Sequence, residues 1–268
     1  MTRALVVGCL LALACAVSVA AAPAQAPVQL EALTWPELRD RVAAGTTIVL
    51  LPIGGTEQNG VHMALGKHNQ RVKLLAERIA QRLGNALVAP VLAYAPEGTI
   101  EPPSQHMRWP GTITVPEGAF EAVLESSARS LQRAGLRHVV LLGDHGGYRR
   151  SLERVAARVP DVQVPPEYYR ASSADFAQAL RARGFSEAQI GRHAGLADTA
   201  LMLALDPSLV RAERLGASRG EGADGDAAQA DAALAHDAVE HVVAVTTAAI
   251  RARVAAATAK PQSALSKP

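Results

Sequence analysis

Residues 46–68 read TTIVLLPIGGTEQNGVHMALGKH. The first part, Thr46 to Gly54, is a continuous apolar run with no alternation. Such a run predicts a strand buried on both faces, as in a parallel sheet covered by helices on each side. The run stops at Gly54-Gly55, and polar residues follow at once: Glu57, Asn59, His62 and His68. In open parallel sheets, ligands bind just beyond the carboxyl ends of strands. This one stretch therefore predicts both an architecture and the edge of it that carries chemistry.

The same grammar repeats outward. Gln70 to Leu83 places Val72, Leu75, Ala76, Ile79, Ala80 and Leu83 at helical spacing, and Ala86 to Val91 predicts a second strand. Glu117 to Ala134 predicts a helix with Phe120, Val123, Leu124 and Leu131 on one face. His138 to Leu142 predicts a third strand, ending in the Gly-rich turn Gly143 to Gly147 with Asp144 and His145. A helix over Arg149–Val159, stopped by Pro160, and a short strand at 162–164 follow. Beyond Ala197 the chain reads as helical: Asp198 to Leu205, a Gly-rich loop at 216–225, then a long helix over 227–257. Strands alternating with helices predict an α/β fold, a three-layer α/β/α sandwich on a mostly parallel sheet.

The N-terminal 26 residues predict a leader. Arg3, an apolar run from Ala4 to Ala22, and small residues in an Ala-x-Ala pattern have the layout of a cleaved secretory signal. The expected product is a secreted or periplasmic bacterial protein with no membrane span after cleavage. It comprises one domain over 27–258 and a flexible tail over 259–268. Cys9 and Cys15 both lie in the leader, so the rest of the chain offers no thiolate to a metal. The charge balance, 27 Lys+Arg against 25 Asp+Glu, and the absence of a basic stripe interleaved with aromatics give no support to nucleic-acid binding.

Imidazoles and carboxylates converging on a sheet edge suit Zn²⁺, Mn²⁺ or Fe²⁺. Such a metal acidifies bound water and supplies hydroxide for attack on a carbonyl. Four blocks carry a resemblance to a family with this chemistry. Gly54-Gly55-Thr56-Glu57-Gln58-Asn59-Gly60-Val61-His62 is similar to a hallmark reading Gly-(Ser/Thr)-x-Glu-Gln-His-Gly-x-His. Ser104-Gln105-His106-Met107-Arg108-Trp109-Pro110-Gly111-Thr112 resembles the second block, Gly143-Asp144-His145-Gly146-Gly147-Tyr148 the third, and His193-Ala194-Gly195-Leu196-Ala197-Asp198-Thr199 the fourth. Their order and spacing resemble the creatininase family.

The resemblance implies a creatininase-like three-layer domain, homo-oligomeric and often hexameric, with a divalent Zn²⁺ or Mn²⁺ centre. It implies a metal-dependent amidohydrolase that cleaves a non-peptide or cyclic amide C–N bond of a small molecule. By position, Glu57 and His145 match metal ligands, and His193 matches a proton donor beside the substrate. His68 stands where the family has an Asp that bridges two metals, Asn59 where it has a His ligand, and Asp198 where it has a Glu. An imidazole has one lone pair for one metal and does not bridge. The expectation is therefore one metal on Glu57, His68 and His145, with Asp198 freed as a base. The alternative is two metals, using Asn59 and Asp198. Ser104, His106, Trp109 and Tyr148 are expected around the substrate, with Arg108 shaping the pocket. The bland readings are Asp198 as a helix cap, His62 as a structural residue, and Asp144 as the group that orients His145. A different class of function, a non-catalytic small-molecule- or metal-binding protein on the same fold, is motivated by Asn59, His68 and Tyr148.

Overall fold

A computed structural model of the chain describes residues 27–259; residues 1–26, where a leader is expected, and 260–268, within the expected tail, lie outside the described part. The elements run α1 (Trp35–Ala43), β1 (Ile48–Ile53), α2 (Lys67–Leu83), β2 (Ala86–Val88), α3 (Glu117–Arg133), β3 (His138–Gly143), α4 (Arg149–Arg158) and β4 (Val162–Gln163). Then come α5 (Pro166–Arg170), α6 (Phe176–Ala182), α7 (Glu187–Ile190), α8 (Leu196–Leu205) and α9 (His236–Ala259).

The sheet has four strands in the order β2-β1-β3-β4, and every pairing is parallel. All six residues of β1 are buried, as the unbroken apolar run predicts. Alternate residues serve opposite layers because successive side chains on a strand point to opposite faces. Ile48 and Leu50 of β1, with Val140 and Leu142 of β3, pack against α2, α8 and α9. Val49, Leu51 and Ile53, with Val139 and Leu141, pack against α3, α4 and the Leu38–Val42 side of α1. Two apolar cores on either side of one sheet make the three-layer α/β/α sandwich.

The helix α2 buries the six apolar residues that its spacing predicts. It starts one turn earlier than that spacing suggests, at Lys67, and this draws Lys67, His68 and Arg71 into the interior. It ends at Gly84, whose φ of +84° is a left-handed cap conformation that glycine adopts without strain. The other departures are local. β2 is shorter than expected because Pro90 has no N–H for the ladder. Val123 is 48 % exposed, so the buried face of α3 is Phe120, Leu124 and Ala128. The C-terminal helix starts at His236 and packs on α2, α5 and α8. Among the described residues, Ala232–Ala259 is the one helical stretch long and apolar enough to cross a membrane by composition.

The chain leaves β1 toward β2 on one side, and β3 returns on the other. The carboxyl ends of β1 and β3 therefore flank the point where the strand order reverses, which is where such sheets bind ligands.

Candidate metal centre

The turn after β1 is built on close backbone approach. A Cβ at Gly54 would run into the side chain and backbone of Asn69, and Gly55 (φ +142°) lies against Tyr148 and Glu97. Asn69 Oδ1 accepts the Gly55 N–H at 3.0 Å, tying α2 to the end of β1. The side chain of Asn59 donates to the carbonyls of Glu57 (2.9 Å) and Ala64 (3.1 Å), which closes the loop and points Glu57 inward.

Glu57 is fully buried, and its Oε2 finds no hydrogen-bond partner among the described residues. That oxygen lies 3.3 Å from His106 Nε2 and 3.9 Å from His145 Nε2. Glu97, also buried, has an Oε2 without a partner. Donor atoms of Glu57, Glu97, His106 and His145 all fall within 4.8 Å of one another. Two donors each about 2.1 Å from a tetrahedral ion sit about 3.4 Å apart. A buried oxygen left without a partner costs free energy, so two such carboxylates grouped with two imidazoles fit a cation. Two carboxylates and two imidazoles are a donor set for Zn²⁺ or Mn²⁺.

The electrostatics favour Glu57 and His145 as donors and leave Glu97 protonated near neutral pH until a cation offsets its burial. Burial pushes His145 down to about 3, helped by His68 and Lys67, so its imidazole is neutral and has a lone pair to offer. Burial and the neighbouring Glu57 push Glu97 up to about 8, although the Tyr148 hydroxyl, which donates to it, pulls the other way. Burial opposes ionisation of Glu57, but His68 and Lys67 hold it well below the usual carboxylate range.

Behind Glu57 runs a charged network. His68 Nε2 lies 2.8 Å from Glu57 Oε1, and His68 Nδ1 lies 2.6 Å from Asp144 Oδ2. Asp144 also accepts from Arg71 Nε (2.7 Å) and the Tyr168 hydroxyl (2.7 Å). Arg71 donates to Asp198 Oδ1 at 2.6 Å, and Lys67 Nζ donates to Asp198 Oδ2 at 3.1 Å. Asp198 is thereby held well below its usual range against the effect of burial.

The sequence-derived site residues divide accordingly. Glu57 and His145 come together as expected. His106, expected around the substrate, stands beside them as a fourth donor. His68 is outside this cluster, with both ring nitrogens facing carboxylates. The reason is the earlier start of α2, which places it in the first turn between Glu57 and Asp144. Asn59 spends its amide nitrogen on the turn, and its Oδ1 is buried without a partner. Asp198 also lies outside the cluster; it is an anion already bound by two cations and by the Ala194 N–H at 3.0 Å. His193 approaches Glu57 Oε1 with Nδ1 at 3.7 Å and donates from Nε2 to the Gln58 carbonyl at 3.0 Å; burial and Lys67 lower it to about 4.

Tyr148 is fully buried and oriented onto Glu97, so it supports a donor instead of lining a substrate pocket. Ser104 accepts from Thr99 N and Oγ1 and braces its own loop, and Trp109 is only half-buried; neither lines the cavity next to the centre. Arg108 is exposed. His62 is structural: its Nε2 pairs with Thr199 Oγ1 at 2.9 Å. Asp144 orients His68, not His145.

That cavity, of about 320 Å³, is lined by Lys67, His145, Tyr169, Ser172, His193 and Asp198, among others. Ser172 and its neighbours belong to a π-helical turn at Ala171–Asp175, wedged between α5 and α6.

Three residues of the site escaped the sequence reading: Glu97, Lys67 and Arg71. For Glu97 a signal existed. It lies in Pro96-Glu97-Gly98, beyond the end of β2, as Glu57 lies beyond β1 and His145 beyond β3. Lys67 and Arg71 gave none, because a charged side chain in a helical stretch normally faces solvent.

A family model described as creatininase (creatinine amidohydrolase) matches residues 31–259. The creatinine amidohydrolase of Pseudomonas putida is 33 % identical over 196 residues, covering 68 % of this chain and 74 % of that protein. A mycofactocin precursor peptide peptidase of Mycolicibacterium smegmatis is 28 % identical, covering 63 % of this chain and 62 % of the peptidase. A solved structure of a manganese form of creatininase superposes with a TM-score of 0.68 at 27 % identity, covering 85 % of this chain and 98 % of that one.

Proposed function

This chain belongs to the creatininase family, and we propose that it is a metal-dependent amidohydrolase acting on a small non-peptide or cyclic amide. The observation that carries this reading is the convergence of Glu57, Glu97, His106 and His145 with two buried carboxylate oxygens lacking partners. A Zn²⁺ or Mn²⁺ ion held by those four would supply Lewis-acid polarisation of the scissile carbonyl.

The remaining work falls to the chain. The cavity of about 320 Å³ lies at the small end of ligand pockets, which supports a compact substrate over an extended peptide. With its Nε2–H given to the Gln58 carbonyl, His193 presents Nδ1 as a proton acceptor and can then return that proton to the leaving nitrogen. The Gln58 side chain stands between His106 and His193, its amide nitrogen 3.1 Å from a ring nitrogen of each. Lys67 and Arg71 hold Asp198 as an anchored anion at the cavity wall. The leader motif supports export to the periplasm, and family membership supports a homo-oligomer.

Metal analysis is the direct test. Purified protein reconstituted with Mn²⁺ or Zn²⁺ and dialysed is expected to retain bound metal and to hydrolyse members of a cyclic-amide panel. Protein that retains no metal would sink the reading. One observation favours a second reading, a binding protein without turnover: Asp198 is neutralised by two cations and cannot serve as a free base. Ligand binding without product formation in metal-loaded protein would select it.

A further inference from the structure

Glu57 presents its two oxygens to different chemistry. Oε2 faces the imidazoles of His106 and His145. Oε1 faces His68 Nε2, Lys67 Nζ at 3.7 Å and His193 Nδ1 at 3.7 Å. On this second side stand three further donors of the metal-binding kind: Glu57 Oε1, His193 Nδ1 and Asp198 Oδ2. They do not close into a tight group as the first four do. Between the two carboxylates sits an ammonium instead, Lys67 Nζ, 3.7 Å from Glu57 Oε1 and 3.1 Å from Asp198 Oδ2. Lys67 is 1 % exposed.

A lysine is rarely buried this deeply unless its charge is matched. Here it is matched on both sides: the ammonium lies between two carboxylates, sharing Glu57 Oε1 with His68 Nε2 at 2.8 Å and standing as the nearest side-chain cation to Asp198 Oδ2. Arg71 takes the opposite oxygen of Asp198 and closes that face to a further ion.

We propose that Lys67 is a built-in cation: its ammonium takes the second face of Glu57, so the centre holds one divalent metal, on Glu57, Glu97, His106 and His145. The inference rests on the metal-dependent reading above and adds the residue that sets the count. Two like charges a few ångströms apart in a buried site repel strongly, so the ammonium and a second metal exclude each other. His68 completes the arrangement. Pinned on Asp144 through Nδ1, it has at most one lone pair to offer and cannot link two ions. The second face of Glu57 is thus served by a side-chain cation that needs no supply from outside.

The experiment uses the full chain, stripped with chelator, reloaded with Mn²⁺ and dialysed. Metal content is read by mass spectrometry and spin coupling by electron paramagnetic resonance. Wild type is expected to hold about one equivalent and to give the spectrum of an isolated ion. Lys67→Ala opens the second face and is expected to hold about two, with the second bound more weakly and spin-coupled to the first. Adding Asp198→Asn to Lys67→Ala should return the count to about one. Wild type with two equivalents overturns the proposal while leaving the metal-dependent reading intact, as does Lys67→Ala that stays at one. Wild type with none overturns the metal-dependent reading and this inference with it. If Lys67→Ala does not fold, Lys67→Thr replaces it, and the wild-type count decides independently of either.

Discussion

Tyr148 and Arg71 do comparable work by different means. Neither belongs to the four-donor cluster, yet each fixes a group that does or that supports it. The Tyr148 hydroxyl donates to Glu97 and fixes the orientation of that carboxylate. Partners of this kind typically contribute 10- to 100-fold in metal affinity. Tyr148→Phe is therefore expected to weaken Zn²⁺ affinity by about 10- to 100-fold with little loss of fold, read by competition with a chromophoric chelator. An unchanged affinity would mean that Glu97 holds its place without the hydroxyl. Arg71 lies between Asp144 and Asp198 and is almost wholly buried. Removing one partner of a buried pair leaves an uncompensated charge, so Arg71→Met should cost about 3–5 kcal/mol in urea unfolding. The exposed pair Arg149–Glu153 is the control: Arg149→Met should cost well under 1 kcal/mol or so, because solvent screens such pairs.

At the scale of elements, the junction of β1 and α2 positions most of the site. The helix face that fills the core and the first turn that supports Glu57 belong to one rigid unit. Ile79→Ala removes a fully buried side chain facing the sheet and should destabilise by about 2–5 kcal/mol without reaching the metal centre. Gly54→Ala should act differently. The added Cβ meets the Asn69 backbone, which cannot rotate away, and Asn69 is what ties Gly55 to the helix. About 1–3 kcal/mol of overpacking strain is expected, together with a loss of metal affinity, because the displaced segment carries Glu57. Stability and metal affinity measured on the two variants should therefore separate: Ile79→Ala loses only the first, Gly54→Ala both.

At the scale of the whole molecule, the buried histidines set the acid limb of stability. His62 in the turn after β1 and His138 at the start of β3 are both buried and both pushed below the ordinary 6.5 by burial. Below that value the unfolded chain takes up protons that the folded chain refuses, so stability falls as pH drops through 6.5 and toward the lowered folded values. The urea midpoint is expected to decline between pH 7.5 and 5.5. In His138→Gln the slope of that decline should be smaller, since one of the refusing groups is gone; an unchanged slope would remove His138 from the account.

The amino-acid sequence alone determined the layers. Six buried residues in β1 leave no face for water, and an apolar stripe in α2 can be satisfied only by packing on that sheet, so local pattern and global fold agree. It also determined the edge that carries chemistry, because glycines that end strands mark where backbone and polar side chains crowd together. Glu57 and His145 were legible on that ground. The partners of Glu57 were not. Glu97 and His106 come from loops 40 and 49 residues downstream of it, and only the parallel order β2-β1-β3-β4 brings those loops to one point. Lys67 and Arg71 were hidden for a different reason. Sequence pattern assigns charge to the surface, and what overrides it here is pairing: anions donated by α8 and by the turn after β3 make burial of two cations favourable. Which oxygen of Glu57 faces two imidazoles and which faces an ammonium is a matter of ångströms across four segments of chain, and such distances exist only once the segments have packed.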